Sequence, residues 1–234
     1  MPTLRATVAY DGTEFRGWAR QPGLRTVEGV LAEAVGQELT VAGRTDAGVH
    51  AAANVVSWQE ERVRSARELN AALPPDLAVL SVEEAAEGFD ARADARQRSY
   101  VYRILNRSQP DPFTRRFEVH HPRRIDGDVL DACAAAAVGQ HDFTAFTPTE
   151  TQHVFFERTV LEARWERDGD RLTFHLTADA LLRHMVRILV GTMLEFQDAD
   201  RFTALLAGAP RSEAGRTAPP HGLTLAAVGY GDRP

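Results

Sequence analysis

The chain has 234 residues, 44% of them hydrophobic, a formal net charge of −6 and a single cysteine. That size and apolar content suffice for one large or two small cored domains; the lack of a run of about 18 apolar residues excludes a transmembrane helix, and Cys133 alone excludes an internal disulfide framework or a cysteine-rich zinc site. All 27 basic residues are arginine, which excludes a lysine Schiff base and a P-loop lysine; the acidic balance speaks only weakly against nucleic acid, because binding depends on local basic patches.

Met1 to Arg5 has no apolar run of the kind that opens a signal peptide, so the expected location is cytoplasmic. Leu4 to Tyr10 alternates with period two and predicts a strand with Leu4, Ala6, Val8 and Tyr10 on one face. Val27, Val30, Leu31, Ala34 and Val35 recur at helical spacing behind Thr26, a good N-cap. Val55 to Trp58 predicts a strand. Ser65-Ala66-Arg67-Glu68 has the capping-box pattern and opens a short helix that Pro74-Pro75 must end. Leu77 to Val82 predicts the next strand, giving the first half a roughly βαββαβ order.

In the second half, Ser99 to Leu105 predicts a strand with Tyr100, Tyr102 and Ile104 on one face. Ile125 to Val138 reads as a helix capped by Asp126, with Cys133 as a small core residue. Arg158 to Trp165 and Leu172 to Thr177 predict a hairpin around Asp168-Gly169. Leu181 to Phe196 predicts an apolar helix, and Leu223 to Tyr230 a closing strand. Thr147 to Phe156 shows little periodicity. The repeated element order predicts a pair of ferredoxin-like units, with residues 88–98 as the junction: an N-terminal domain over 1–95 and a C-terminal one over 96–234.

Four stretches carry candidate chemistry. Gly43 to His50 reads GRTDAGVH, with Arg44, Asp46 and His50 gathered between glycines. It can be an ordinary turn, or a loop presenting Asp46 as nucleophile or base, held ionised by a nearby arginine. Asp46 and His50 have the i,i+4 spacing of a metal pair, but no third ligand of suitable spacing is evident, so no metal is expected. Tyr10 to Gln21 mixes Arg16 and Arg20 with Phe15, Trp18 and glycines. Arginines on phosphates and rings on bases would suit RNA; buried Phe15 and Trp18 in a structural turn is the other reading. Arg92 to Arg103 leads Arg96 and Arg98 into the strand of Tyr100 and Tyr102, an RNA-facing or a merely solvated edge. On the helix, Arg183 and Arg187 are spaced to share a face; Arg187 lies among apolar residues, and a buried arginine needs an anionic partner.

These stretches together resemble the TruA-type tRNA pseudouridine synthases. Gly43 to Ala51 resembles the family's catalytic loop, Tyr10 to Gln21 its opening motif, and Leu181 to Thr192 its HHMVRNMVGT helix. His141 to Phe146 resembles its DFTSF segment and Ala218 to Leu225 its APPxGLxL motif, both read as mainly structural. The resemblance covers nearly the whole chain. It implies an α+β fold of two ferredoxin-like domains whose antiparallel sheets merge around a central catalytic cleft. It also implies a homodimer, tRNA as partner, no cofactor, no membrane, and conversion of uridine to pseudouridine in the anticodon arm around positions 38 to 40. Carried over, Asp46 is the catalytic carboxylate and Arg187 its partner. Arg44 contacts RNA beside the target. Tyr100 is the ring against the target base, with Tyr102 as the alternative. Arg16, Arg20, Arg96, Arg98, Arg183 and His50 fall with Tyr102 into the substrate-binding set. His184 matches a family position and equally fits a core histidine.

The chain departs from the family at Ala19, at Ala53-Asn54 after the catalytic loop, in the short connection 36–39, and in 147–156, which is neutral or acidic where a basic loop is expected. Two other classes remain at this point: an RNA-binding module without chemistry, and a hydrolase that releases free uracil.

Overall fold

The computed structural model describes residues 1–151 and 153–231. In chain order the elements are β1 (Thr3–Tyr10), α1 (Val27–Val35), β2 (Thr40–Val41), β3 (His50–Gln59), α2 (Ala66–Asn70), β4 (Leu77–Glu84), β5 (Gln97–Leu105) and β6 (Val119–His120). There follow α3 (Gly127–Ala137), β7 (Gly139–Asp142), β8 (Glu157–Asp168), β9 (Arg171–Ala178), α4 (Met185–Phe196), α5 (Ala199–Ala204) and β10 (Leu223–Gly229). They form two compact units, one of residues 1–98 with the chain from 224 to 231, the other of 99–223.

In the first unit the β1 alternation does what its period requires: Leu4, Ala6, Val8 and Tyr10 are all at most 4% exposed. β1 runs antiparallel between β3 and β4. The other edge of β3 is divided: β2 pairs antiparallel at Val56 and Ser57, and β10 pairs parallel at His50 and Ala51. Helix α1 buries Val27, Leu31 and Val35, starts where Thr26 accepts the Gly29 N–H, and stops at Gly36 in the left-handed region. Both halves of the Ser65–Glu68 capping box form at α2. That helix ends at Asn70, before the two prolines, and the Asn70 amide brackets the backbone of Val79 at 2.8 Å in both directions.

The structure corrects one boundary that matters. The strand expected over Val55–Trp58 begins at His50, so the glycine-bounded loop delivers the chain directly onto β3. Ala53 and Asn54 are therefore strand residues.

The second unit has the strand order β5-β9-β8-β7, with β6 parallel to β5 and β7-β8-β9 antiparallel. The expected hairpin forms, with Asp168 paired to Arg171 across a two-residue turn and Gly169 at φ 56°. Helix α3 begins at the Asp126 cap and buries Leu130, Cys133, Ala134 and Ala137. Residues 147–151 and 153–156 are irregular, as their sequence indicates.

A second correction concerns α4. The helix expected from Leu181 starts at Met185, because His184 sits at φ 61°, in the left-handed region where an α-helix cannot pass. Each unit combines helices with a largely antiparallel sheet, so both are α+β. The longest helix among the described residues is α4, with 12 residues, and none is long and apolar enough to cross a membrane.

Candidate active site

Residues 43–49 connect the end of β2 to the start of β3 without regular backbone pairing. Such a loop must find partners for its own polar groups. Thr45 is 7% exposed, and its Oγ1 lies 2.8 Å from the Tyr10 hydroxyl. The Asn54 amide donates to the Tyr10 hydroxyl at 3.2 Å and to the Gly43 carbonyl at 2.8 Å, while its own oxygen accepts the Val55 N–H at 2.9 Å. Both N–H donors of Asn54 are thus used inside the core. Burial pushes the Tyr10 phenol up to about 12, against the opposing pull of its Thr45 and Asn54 hydrogen bonds. With Thr45 turned inward, its neighbours face out: Arg44 and Ala47 are exposed and Asp46 is half-buried.

Residues 11–18 brace this loop from outside β1. The Trp18 N–H donates to Thr45 O at 3.0 Å and the Gly48 N–H to Phe15 O at 3.3 Å. The two segments lie so close that a Cβ on Gly12 would stand 2.0 Å from Val49 O. One on Gly17, at φ 90°, would stand 3.1 Å from Thr45 O. Phe15 and Trp18 are buried at 2% and 0%, and their rings flank Tyr10 at 6.4 and 6.0 Å. Of the two readings of this segment, its aromatics take the structural one, while Arg16 and Arg20 remain exposed.

His50 is 2% exposed. Its Nδ1 accepts the Gly12 N–H at 2.9 Å, with Asp11 Oδ1 3.2 Å away. A ring nitrogen accepting from an amide leaves the proton on Nε2. The imidazole therefore ties the 11–14 turn to the first residue of β3. Among the described residues no group of three or more His, Cys, Asp or Glu side chains could hold a metal ion.

The arginine-rich stretch into β5 divides by role. Arg96 is exposed. The Arg98 guanidinium instead donates to the carbonyls of Ala42, Ala95 and Arg92 at 3.0–3.1 Å. It clamps backbone from three directions.

In the second unit, Tyr100 is 9% exposed and Tyr102 0%. The Tyr102 hydroxyl donates to Pro219 O at 2.9 Å, and its ring fills the space against which a Cβ on Gly222 would collide at 2.8 Å. Burial raises the Tyr102 phenol well above its ordinary range. Enclosed in this way, Tyr102 supports the segment 219–222 and offers no open ring face.

Arg183 is exposed and precedes α4, so the face it was expected to share with Arg187 does not form. Arg187 is half-buried, not enclosed as its apolar neighbours suggested. Met185, Val186, Ile188, Leu189 and Val190 take the buried positions, leaving residue 187 at the margin of the apolar stripe. There its Nε donates to Ala218 O at 2.9 Å, and the Ala218 N–H returns a bond to Arg187 O at 3.0 Å. The segment 214–218 is drawn tightly along the helix. A Cβ on Gly191 would lie 1.9 Å from Arg216 O, the Gly215 N–H donates to Thr192 Oγ1 at 3.0 Å, and Arg216 meets Glu195.

Several positioning residues were not recognised as such from sequence: Asn54, named only as a departure, and Gly12, Gly17, Gly191 and Gly215. The only signal was a polar residue on a strand and glycines inside motifs. Asn54, a departure from the family pattern, proves to hold the loop that carries Asp46.

Comparison with known proteins gives a consistent result. A family profile described as tRNA pseudouridine synthase matches residues 133–231. A curated relative from Moorella thermoacetica, tRNA pseudouridine synthase A, is 40% identical over 98% of this chain and 100% of its own. Those named likewise from Bacillus pumilus and Bacillus subtilis are 37% and 36% identical, each over 97% of this chain and 98% of its own. A solved structure titled "Crystal Structure of a Cbf5-Nop10-Gar1 Complex" covers 97% of this chain and 50% of its own at 12% identity; its TM-score of 0.41 gives it no weight here.

Proposed function

The chain belongs to the tRNA pseudouridine synthase A family, and from that premise we propose that it converts uridine to pseudouridine in the tRNA anticodon arm, around positions 38 to 40, with Asp46 as the reacting carboxylate. The enzyme is an isomerase acting on tRNA. The observation that carries the role of Asp46 is its setting: a half-buried carboxylate in a loop whose flanking groups are pinned by Tyr10, Asn54 and Trp18. Preorganisation of this kind places a reacting group without reorganisation at the moment of reaction.

The chemistry needs few parts. The N1–C1′ bond breaks, the uracil turns, and a C5–C1′ bond forms. The hydrogen on C5 leaves as a proton, and N1 gains one, so nothing is oxidised or reduced. Asp46 acts either as a nucleophile at C1′ or as a base on the sugar. Arg187 is proposed as the cation that favours its ionised form, on the likeness of residues 181–192 to the family's helix. A base inside a stem must be extruded before it reaches such a group. Tyr100 is proposed to stack on the extruded uracil, a contact worth about 1–3 kcal/mol. Arg44, exposed two residues before Asp46, is proposed to hold the strand beside it.

Arg16, Arg20, Arg96 and Arg183 are proposed as outer contacts to phosphate, being exposed. Arg98, Tyr102 and His50 are assigned to the scaffold instead, for the hydrogen bonds already given. The same premise extends to the architecture: two ferredoxin-like halves, and a homodimer that shares its tRNA site.

The test uses unmodified tRNA tritiated at uridine C5. Tritium in solvent, with the product nucleotide still in the chain at positions 38 to 40, is the expected result. Free uracil would indicate N-glycosidic hydrolysis. Bound tRNA with neither product would leave an RNA-binding module.

A further inference from the structure

Beside the catalytic loop the first unit has a cleft of about 560 Å³. Its lining includes Glu28 of α1, residues 39–41 around β2, Arg44, and Asp90 and Arg92 from the turn before β5. Its volume lies within the ~300–1,000 Å³ typical of small-ligand sites.

Arg44 and Arg92 are both exposed. Among the described residues, neither guanidinium has a hydrogen bond or an ion pair. The backbone beneath Arg92 is held from several directions. Asp90 Oδ1 accepts the N–H groups of Arg92 and Ala93, each at 2.7 Å, and Asp94 takes the Asp90 N–H at 2.8 Å. Ser57 Oγ accepts the Ala91 N–H at 3.0 Å, and the Tyr230 hydroxyl donates to Ala91 O at 2.7 Å. Arg98 in turn donates to Arg92 O at 3.1 Å. A free cationic head on a fixed stem is suited to bidentate recognition of a phosphate.

The cleft is not a site for a bare anion. Glu28 and Asp90 match the two arginines in formal charge, so the lining carries no excess of positive charge. Glu28 Oε2 already accepts the Arg20 N–H at 2.7 Å, and Asp90 is bonded to its own turn. A nucleotide meets both kinds of group. Its phosphodiester suits the guanidinia, while ribose hydroxyls and base amino groups can donate to remaining carboxylate lone pairs. Arg44 is two residues from Asp46, so a strand bringing a uridine to Asp46 has the cleft beside its path.

We propose that the Arg44–Arg92 cleft binds a nucleotide flanking the target uridine, with Arg92 holding its phosphodiester. This rests on the reading of the chain as an RNA isomerase.

The test is tRNA affinity as a function of salt for wild type, Arg92→Ala, Arg92→Lys and Arg62→Ala. Arg62 is an exposed arginine of the same unit that meets Glu68 instead. Arg92→Ala is expected to weaken binding about tenfold, as for one lost charge-assisted hydrogen bond. It should also reduce the slope of log affinity against log salt by about 0.7–1, the signature of one lost phosphate contact. Arg92→Lys should keep the slope, and Arg62→Ala should match wild type in both readings. Thermal melts of the two Arg92 variants should match wild type, since the Arg92 guanidinium has no hydrogen bond or ion pair among the described residues; Arg62→Ala loses only an exposed ion pair with Glu68, which contributes little to stability. A slope unchanged by Arg92→Ala, or changed equally by Arg62→Ala, overturns the proposal while leaving the isomerase reading intact. A wild type that binds no tRNA overturns both.

Discussion

Asp46 and Arg187 stand on backbone of different kinds. Asp46 lies in a loop with no ladder of its own, and its neighbours' polar groups are satisfied from other elements: Gly43 O by Asn54, Thr45 O by Trp18 and Gly48 N–H by Phe15. Arg187 lies near the start of a helix that satisfies itself, and its surroundings are fixed by close approach of the segment 214–218. The first device is polar and is broken by removing a hydrogen-bond partner. The second is steric and is broken by adding volume. The loop also shares the steric device at Gly12, where the 11–18 segment crosses it.

The largest effects are therefore expected where a side chain must enter occupied backbone space. Gly191→Ala and Gly12→Ala should each lower unfolding free energy by at least about 1–3 kcal/mol in urea titrations, since the obstacle is a carbonyl and not a flexible side chain. A loss well below that range at Gly191 alone would show that the 214–218 segment yields where the loop 43–49 does not. Asn54→Asp comes next. It is isosteric, but a carboxylate cannot donate to Gly43 O or the Tyr10 hydroxyl. A cost of about 1–3 kcal/mol is expected, with impaired isomerisation. Wild-type activity in that variant would mean the polar device does not position Asp46.

Arg187→Ala should cost about 1.5 kcal/mol through the bond from its Nε to Ala218 O, because a charged donor is lost from a half-buried site. Its rate defect should exceed its stability defect; a variant with reduced stability and normal rate would confine Arg187 to holding the segment 214–218. The smallest effect is expected from Tyr10→Phe, about 1 kcal/mol near neutral pH. Its pH dependence sharpens the contrast. The folded-state pKa of Tyr10, pushed up to about 12 from 10.0 by burial, means that the unfolded chain loses its proton first. The stabilisation is complete below about pH 10 and is lost as pH rises from there through about 12. Denaturation measured across that window should decline less steeply for Tyr10→Phe than for wild type. Equal slopes would show that Tyr10 is not the buried phenol responsible.

The same contrast explains what could be read from the sequence. β1, α1, α3 and the β8–β9 hairpin carry their periodicity within one continuous stretch, and each appears where expected. β2, β6 and β7 span two to four residues, too few to show a period, and exist through their partners. The start of α4 was misplaced because hydrophobic spacing continues through Leu181 and Leu182, while the helix is stopped by the left-handed backbone of His184. The loop 43–49 was legible as a motif, but its support was not. Asn54 reaches a carbonyl 11 residues back and a hydroxyl 44 residues back, and nothing local marks either partner. Tyr102 and Arg98 look like ligand groups in the sequence, and only their carbonyl partners in the structure reveal their structural use.

The most direct measurement is tritium release from C5-labelled tRNA by wild type and Asp46→Asn, with tRNA affinity and thermal stability measured on both. Wild type should release tritium. Asp46→Asn should release none above background while still binding tRNA, with the melt showing that the variant is folded at the assay temperature. Release by Asp46→Asn within tenfold of wild type would contradict the role of Asp46 as the reacting carboxylate.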